Sequence, residues 1–165
     1  MGHDEWWTKE SDFNELCKWS GVVPDIDVSA DERSTKVKGN FISKDEDALV
    51  SSWQKNNAKV AFMNPPNSEL RFFLRRALKE WKENNMTVLM FIPIGVIGRG
   101  HFEPYWKLMV DGTIKIERDW KPWLPRPQFL EKGEINEQGN RNDYMALVLR
   151  SRDWGKLNAQ DATQK

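Results

Sequence analysis

The chain contains a single cysteine, Cys17, and no long hydrophobic run. One cysteine excludes an internal disulfide bond, so nothing in the sequence favours an oxidising compartment. The longest apolar stretch, residues 88–96, is interrupted by Pro93 and Gly95 and falls well short of the roughly 20 residues of a membrane-spanning helix. The acidic residues 1–5 lack the basic and apolar regions of a signal peptide. We therefore expect a soluble, cytoplasmic protein without a membrane partner.

Motifs for metal ions and nucleotide phosphates are also missing. Two histidines, His3 and His101, together with one cysteine are too few for a zinc cluster, so we expect no metal ion. The glycines at positions 95, 98 and 100 are not followed by the Gly-Lys-Ser/Thr of a phosphate-binding loop. Residues 98–101 (Gly-Arg-Gly-His) leave two interpretations open, a mobile loop or a contact to nucleic-acid phosphate.

Charge is balanced overall but unevenly distributed. The 165 residues carry 25 basic and 25 acidic side chains. Residues 1–31 hold eight acids and two lysines, a balance of −6, whereas residues 67–132 hold twelve bases and eight acids, a balance of +4. A basic second half suits a polyanionic partner, although ordinary solvated faces give the same pattern. The length fits one domain, which we place at residues 1–153, followed by a polar tail at 154–165.

Apolar periodicity predicts an α/β fold with a mostly parallel sheet and an antiparallel C-terminal edge strand. The predicted helices are residues 8–20 and 68–83, and the predicted strands are residues 22–30, 59–63, 87–94, 113–117 and 143–150. Residues 95–106 are expected to form a loop or a broken helix. The segment 119–142, which contains three prolines and two glycines without periodicity, is expected to be a long functional or mobile loop.

The helix at residues 68–83 has the clearest pattern in the chain. Its apolar side chains recur at helical spacing and predict a face that packs on the sheet; they are Leu70, Phe73, Leu74, Ala77, Leu78 and Trp81. Arg71, Arg75 and Arg76 occupy the remaining surface, and we interpret them as a solvated exterior. Thr8 is placed to cap the first helix and Gly21 to end it.

Tryptophan is unusually frequent, with nine residues against two tyrosines. The pair Trp6 and Trp7 and the pair Trp120 and Trp123 lie in polar, loop-like sequence. A large planar ring in such a place serves either as a stacking surface or for ordinary packing, and the sequence leaves both possibilities open.

The sequence Asn64-Pro65-Pro66-Asn67 follows the predicted strand 59–63. The second proline constrains the first to an extended conformation, so the strand must end in a rigid corner. In parallel sheets the binding crevice lies at the carboxyl ends of the strands, and we expect both this corner and residues 25–27 (Asp-Ile-Asp) there. The coincidence makes residues 64–67 the candidate functional centre.

An Asn-Pro-Pro corner has a specific chemical use. The exocyclic amine of adenine is a poor nucleophile because its lone pair is delocalised into the ring. The Asn64 amide oxygen and a backbone carbonyl can accept the two amine hydrogens and favour a pyramidal nitrogen. Positioning and hydrogen bonding then contribute most of the catalysis, without a strong base. Asn-Pro turns are also common in purely structural roles.

Four segments carry a resemblance to a known family. They are residues 4–8 (Asp-Glu-Trp-Trp-Thr), 25–30 (Asp-Ile-Asp-Val-Ser-Ala), 62–68 (Phe-Met-Asn-Pro-Pro-Asn-Ser) and, more faintly, 124–130 (Leu-Pro-Arg-Pro-Gln-Phe-Leu). In order and approximate spacing they resemble the small phage-type DNA N6-adenine methyltransferases. If the source is viral, the expected location is the host cytoplasm.

The resemblance implies an S-adenosylmethionine-dependent enzyme with a class I methyltransferase sheet, a three-layer α/β sandwich. It implies that Trp6, Thr8, Asp25 and Asp27, together with Asn64, line the cofactor pocket. A carboxylate at a strand end suits the ammonium group of the cofactor. A solvated strand terminus is the alternative for the two aspartates, and a packed N-terminal anchor is the alternative for Trp6.

The implied partner is duplex DNA with a flipped adenine, whereas the oligomeric state stays open. Within residues 119–142, Trp120, Trp123 and Arg126 are the candidate substrate-binding side chains. The candidate catalytic residues are those of the corner, Asn64, Pro65, Pro66 and Asn67.

The chain departs from the family pattern at three points. Lys9 stands where the family usually has proline, and no glycine-rich turn follows the first strand. Asn67 replaces the aromatic residue that stacks on the flipped base, an interaction of about 1–3 kcal/mol. Trp120, Trp123 and Phe102 are candidate substitute rings. Two other hypotheses remain: a catalytically silent binder of nucleic acid or protein, and a methyltransferase that acts on a protein amide.

Overall fold

The computed structural model describes residues 6–131, 133–135 and 142–154. The helices are Glu10–Ser20 (α1), Leu70–Asn84 (α2), Glu103–Val110 (α3) and Ile116–Asp119 (α4). The strands are Trp6–Trp7 (β1), Ile26–Asp27 (β2), Val60–Met63 (β3), Thr87–Pro93 (β4), Trp120–Pro122 (β5), Leu130–Glu131 (β6), Glu134–Ile135 (β7) and Tyr144–Leu149 (β8). Short 3-10 turns lie at Lys55–Asn57, Asn67–Glu69, Ile94–Gly98 and Gly100–Phe102.

The main sheet has five strands in the order β2-β3-β4-β8-β5. β2, β3 and β4 are parallel, β8 is antiparallel to β4, and β5 is antiparallel to β8. The predicted mixture of parallel and antiparallel strands is therefore present. The predicted edge strand is wrong in one respect: the C-terminal strand β8 lies inside the sheet, because β5 pairs with its outer side.

Helices cover both faces of this sheet. Alternate residues of β4 point to opposite sides, as the pleat requires. Val88, Met90 and Ile92 belong to one core cluster with α2 and α3, whereas Leu89 and Phe91 belong to a second cluster with α1. The layers are therefore helix, sheet and helix, in agreement with the predicted sandwich.

The strand predicted at residues 22–30 is mostly irregular, and only Ile26–Asp27 is assigned to β2. Pro24 has no N–H to donate, and Val23 is 77% exposed, so the first part of the segment lies outside the sheet. Two further hydrogen bonds extend the pairing with β3, from Asp25 N to the Val60 carbonyl and from Val28 N to the Phe62 carbonyl.

The strand predicted at residues 113–117 is absent, because tertiary contacts override the alternating pattern. Asp119 is 1% exposed, and its carboxylate accepts hydrogen bonds from Lys115 N, Arg118 and Arg150. These contacts fix residues 115–119 as a helical turn. Of the two expectations for residues 95–106, the broken helix is confirmed, because two 3-10 turns at Ile94–Gly98 and Gly100–Phe102 lead into α3. The continuation of α3 to Val110 was not predicted.

The segment predicted as a long loop, residues 119–142, contains three strands within its described part. β5 joins the main sheet, and β6 and β7 form a hairpin. β1 pairs antiparallel with β6, through Trp6 opposite Glu131 and Trp7 opposite Leu130. The start of the described chain is therefore attached to its last third.

None of the helices in the described ranges is long and apolar enough to span a bilayer. All predicted site residues belong to the described ranges. Of the predicted polar tail at 154–165, only Trp154 does. Residues 4 and 5 of the N-terminal motif lie outside them.

Candidate active site

The Asn-Pro-Pro corner lies at the carboxyl end of β3, as predicted. β3 ends at Met63, and Pro66 has an extended backbone (φ −55°, ψ 141°) before the chain turns into α2. The Asn64 backbone N–H donates to the Ser29 hydroxyl at 3.0 Å, which links the corner to the segment after β2. Pro65 is buried, whereas Asn64 is half-buried and Asn67 is exposed.

The Asn64 side chain is held by Thr8. Its Nδ2 donates to the Thr8 Oγ1 at 2.6 Å, and Thr8 is only 3% exposed. Among the described residues, no group donates to the Asn64 Oδ1 or to the Pro65 carbonyl. The corner therefore presents two unused acceptors, which is the arrangement that an amine substrate requires.

The predicted capping role of Thr8 is wrong. Lys9 is the residue at the start of α1, and no side chain there bonds to the free N–H groups of the helix. The Thr8 hydroxyl is instead used by Asn64. The predicted end of α1 is confirmed, because Gly21 adopts φ 73° and its N–H donates to the Cys17 carbonyl.

Asp25 does not lie at the carboxyl edge of the sheet, so that expectation is wrong. Its carboxylate accepts hydrogen bonds from Lys59 N and Val60 N, at the amino end of β3. Asn64 follows the opposite end of the same strand, roughly 13 Å away at 3.3 Å per residue. Asp25 therefore fixes the pairing of β2 with β3 and does not join the corner.

Asp27 lies on the strand adjacent to the corner, level with Phe62, but its carboxylate is engaged. The Asp27 Oδ1 accepts from Ser29 N at 3.2 Å, and the Oδ2 accepts from Lys36 N at 2.9 Å. Burial raises the pKa of this carboxyl group to about 6, and the two N–H donors act in the opposite direction. Asp27 is 2% exposed, and its two hydrogen bonds hold the segment that follows β2 in place.

Trp6 and Trp7 form β1, which directly precedes Thr8. The Trp6 side chain is outside the described part of the structure. The Trp7 ring lies 5.2 Å from the Arg33 guanidinium, and a Cβ at Gly133 would approach it to 3.2 Å. The segment that carries Thr8 is thus covered by the β6–β7 hairpin.

The aromatic candidates for base stacking are largely packed. Trp123 is 5% exposed and meets Phe91 edge-on at 5.2 Å, and Phe102 is fully buried and stacks on Tyr105. Of the two possibilities left open for Trp123, the structure therefore shows packing, and the candidate substitute ring of Phe102 is packed as well. Trp120 is half-buried, and its Nε1 donates to the Met145 sulfur.

Arg126 forms an exposed ion pair with Asp143 at 2.9 Å. Asp143 in turn lines a cleft of about 500 Å³ that begins at the corner. The other lining residues come from the start of α2, the segment after β4 and the residue before Asp143; they are Asn67, Ser68, Leu70, Arg71, Pro93, Ile94, Gly95, Val96, Arg99, His101 and Asn142. Substrate contact by Trp120, Trp123 and Arg126 stays a prediction.

Two contributors to the site were not predicted from the sequence. Ser29 was part of a recognised segment but received no role, and its hydroxyl binds the corner. Arg71 was interpreted as part of a solvated face; it is exposed as predicted, and it also borders the cleft. Its position four residues after Asn67, in the first turn of the following helix, was the available indication.

This arrangement, a sheet with helices on both faces and an Asn-Pro-Pro corner at a carboxyl strand end, is consistent with a methyltransferase-like fold. The described residues contain no cluster of metal-binding side chains. The sequence profile of the DNA N-6-adenine-methyltransferase (Dam) family matches residues 2–157. A DNA N-6-adenine-methyltransferase of Haemophilus phage HP1 is 33% identical over 152 residues, covering 92% of this chain and 80% of the phage protein.

The chain therefore belongs to the DNA N-6-adenine-methyltransferase family. DNA adenine methylation is the activity that this membership supports. No solved structure matches the chain significantly.

Proposed function

We propose that the protein transfers the methyl group of S-adenosylmethionine to the N6 amine of adenine in DNA at the corner formed by Asn64 and Pro65. The observation that carries this proposal is the pair of unused acceptors at the corner, in a chain that belongs to an adenine methyltransferase family. Duplex DNA with the target adenine turned out of the stack is the substrate that this site requires.

Asn64 and Pro65 hold the amine. The Asn64 Oδ1 and the Pro65 carbonyl accept its two hydrogens, which turns the nitrogen lone pair away from the base. Pro65 and Pro66 have no N–H, so the corner itself offers no backbone donor that would compete. Thr8 keeps the amide nitrogen of Asn64 turned away from the substrate.

The residues beside Asn64 fit a polar cofactor only in part. The half-buried Ser29 hydroxyl and the segment around Thr8 are close to the corner and would contact the cofactor. Asp25 lies at the wrong end of β3, and Asp27 is sealed by two backbone N–H groups. When bound, S-adenosylmethionine supplies the electrophilic methyl group. Asp27 acts by fixing the Ser29 segment.

Substitution of Asn64 tests the proposal. We expect Asn64→Ala to abolish adenine methylation, measured with labelled cofactor and mixed DNA, because one of the two acceptors is lost. Its thermal stability and its calorimetric affinity for S-adenosylmethionine should stay close to wild type. Asn14→Ala, which removes an exposed amide from α1, is the matched control and should retain full activity.

Methylation by Asn64→Ala at the wild-type rate would contradict the assigned roles. Digestion of the products and mass analysis separate methylated adenine from methylated protein. A wild-type protein that binds no cofactor would support the hypothesis of a silent binder instead.

A further inference from the structure

The cleft beside the corner begins where the candidate catalytic segment ends. Asn67 closes that segment and lines the cleft. It lies three positions after Asn64, a span of at most about 11 Å. A group bound at the Asn67 end of the cleft therefore lies within roughly this distance of the proposed site of methyl transfer.

The charge of the cleft is positive. Arg71 and Arg99 are exposed, and neither forms an ion pair with any described residue. Arg71, Arg99 and His101 line the same cleft. Burial lowers the pKa of His101, and the positive charges of Arg99 and Arg71 lower it further. Asp143 is the acidic residue that faces them, and its carboxylate pairs with Arg126.

The lining residues favour an anion over a base. None of the lining side chains is Trp, Tyr or Phe, so the cleft offers little surface on which a base could stack. Two arginines present rigid donor forks of the kind that bind phosphate oxygens. The start of α2, a helix of 15 residues, adds partial positive charge at Leu70 and Arg71.

From this arrangement we infer that the cleft binds a phosphate of the DNA strand next to the target adenine, held by Arg71 and Arg99. This inference rests on the proposed function. Such a contact fixes the register of the strand without reading its sequence, and it places the adenine at the corner. The carboxylate of S-adenosylmethionine has similar chemistry, so the test measures both ligands.

The test measures the affinity for a fluorescein-labelled duplex at several salt concentrations. We expect Arg71→Gln and Arg99→Gln each to weaken binding by about tenfold. Each should also reduce the slope of log affinity against log salt by about 0.9, the value for one phosphate contact. Arg75→Gln is the matched control, because Arg75 is exposed on the same helix and outside the cleft. The calorimetric affinity for S-adenosylmethionine should not change.

Two results would overturn the inference. Salt slopes in Arg71→Gln and Arg99→Gln equal to that of Arg75→Gln would show that the cleft holds no phosphate. A loss of cofactor affinity with unchanged DNA affinity would assign the cleft to the cofactor carboxylate. The binding measurements need no methylation, so they decide the inference even if the proposed function fails.

Discussion

Thr8 and Asn64 show how a single contact prepares the site. The Asn64 amide has one donor end and one acceptor end, and the Thr8 hydroxyl occupies the donor end at 2.6 Å. The acceptor end is thereby left for the adenine amine that we propose as the substrate. Thr8 does not reach the reacting atoms in this arrangement, so we regard it as a positioning residue.

Replacement of Thr8 by valine preserves the shape of the side chain and removes the hydroxyl. We expect Thr8→Val to lower kcat by about 10–100-fold, because the Asn64 amide loses its fixed orientation. KM for DNA should change little. Steady-state methylation kinetics measure both values, and Thr8→Ser should restore most of kcat. If the role of Thr8 were purely structural, Thr8→Val would instead have a lower unfolding temperature, and Thr8→Ser would not restore kcat.

Residues near the corner were predictable to different degrees. Asn64 was found because two prolines mark a strand end unambiguously. Asp25 was misplaced because the predicted strand 22–30 was too long, and the sequence does not specify which residue of one strand pairs with which of the next. The Thr8–Asn64 contact joins positions far apart in the chain, so no local pattern indicates it.

Among the elements, α2 was predicted correctly because its apolar spacing persists over four turns. The solvated exterior predicted for its polar side is confirmed for Arg71 and Arg75, which are exposed, and is wrong for Arg76. Arg76 is half-buried, donates to the Leu49 and Ser51 carbonyls, and pairs with Glu80, which is 1% exposed. This cluster attaches the helix to the segment before β3.

Removal of Arg76 leaves the buried Glu80 carboxylate without its cation. We expect Arg76→Met to lower the free energy of unfolding by about 3–5 kcal/mol, the usual cost of breaking a buried pair from one side. Urea unfolding measures the change. Arg75→Met, on the exposed side of the same helix, should cost less than about 0.5 kcal/mol. Equal losses in the two variants would show that the pair contributes nothing specific.

Short elements made by distant contacts account for most of the errors at this scale. β5, β6 and β7 have two or three residues each, too few for a periodic pattern. They are strands because β8 and β1 lie beside them. α4 depends in the same way on the buried Asp119 and its partner Arg150.

At the scale of the whole molecule, Asp27 couples stability to pH. Burial raises the pKa of its carboxyl group from the ordinary 3.8 to about 6. The folded protein therefore holds this proton more tightly than the unfolded chain does. The resulting stabilisation is complete below pH 3.8 and is lost as the pH rises through about 6.

Comparison of wild type with Asp27→Asn isolates this effect, because all other titrating groups are shared. We expect the free energy of unfolding of wild type, relative to the variant, to fall by roughly 2 kcal/mol between pH 4 and pH 7. Denaturant unfolding across that range measures the difference. A difference that stays flat, or that rises with pH, would contradict the raised pKa.

The pairing of β1 with β6 also sets an order of events during synthesis. Residues 6 and 7 pair with residues 131 and 130, more than a hundred positions later. On the ribosome, the Asn-Pro-Pro segment therefore emerges well before the hairpin that anchors the strand leading into Thr8. A nascent chain stalled before residue 130 would carry Asn64 and Thr8 without the strand that anchors the segment leading into Thr8.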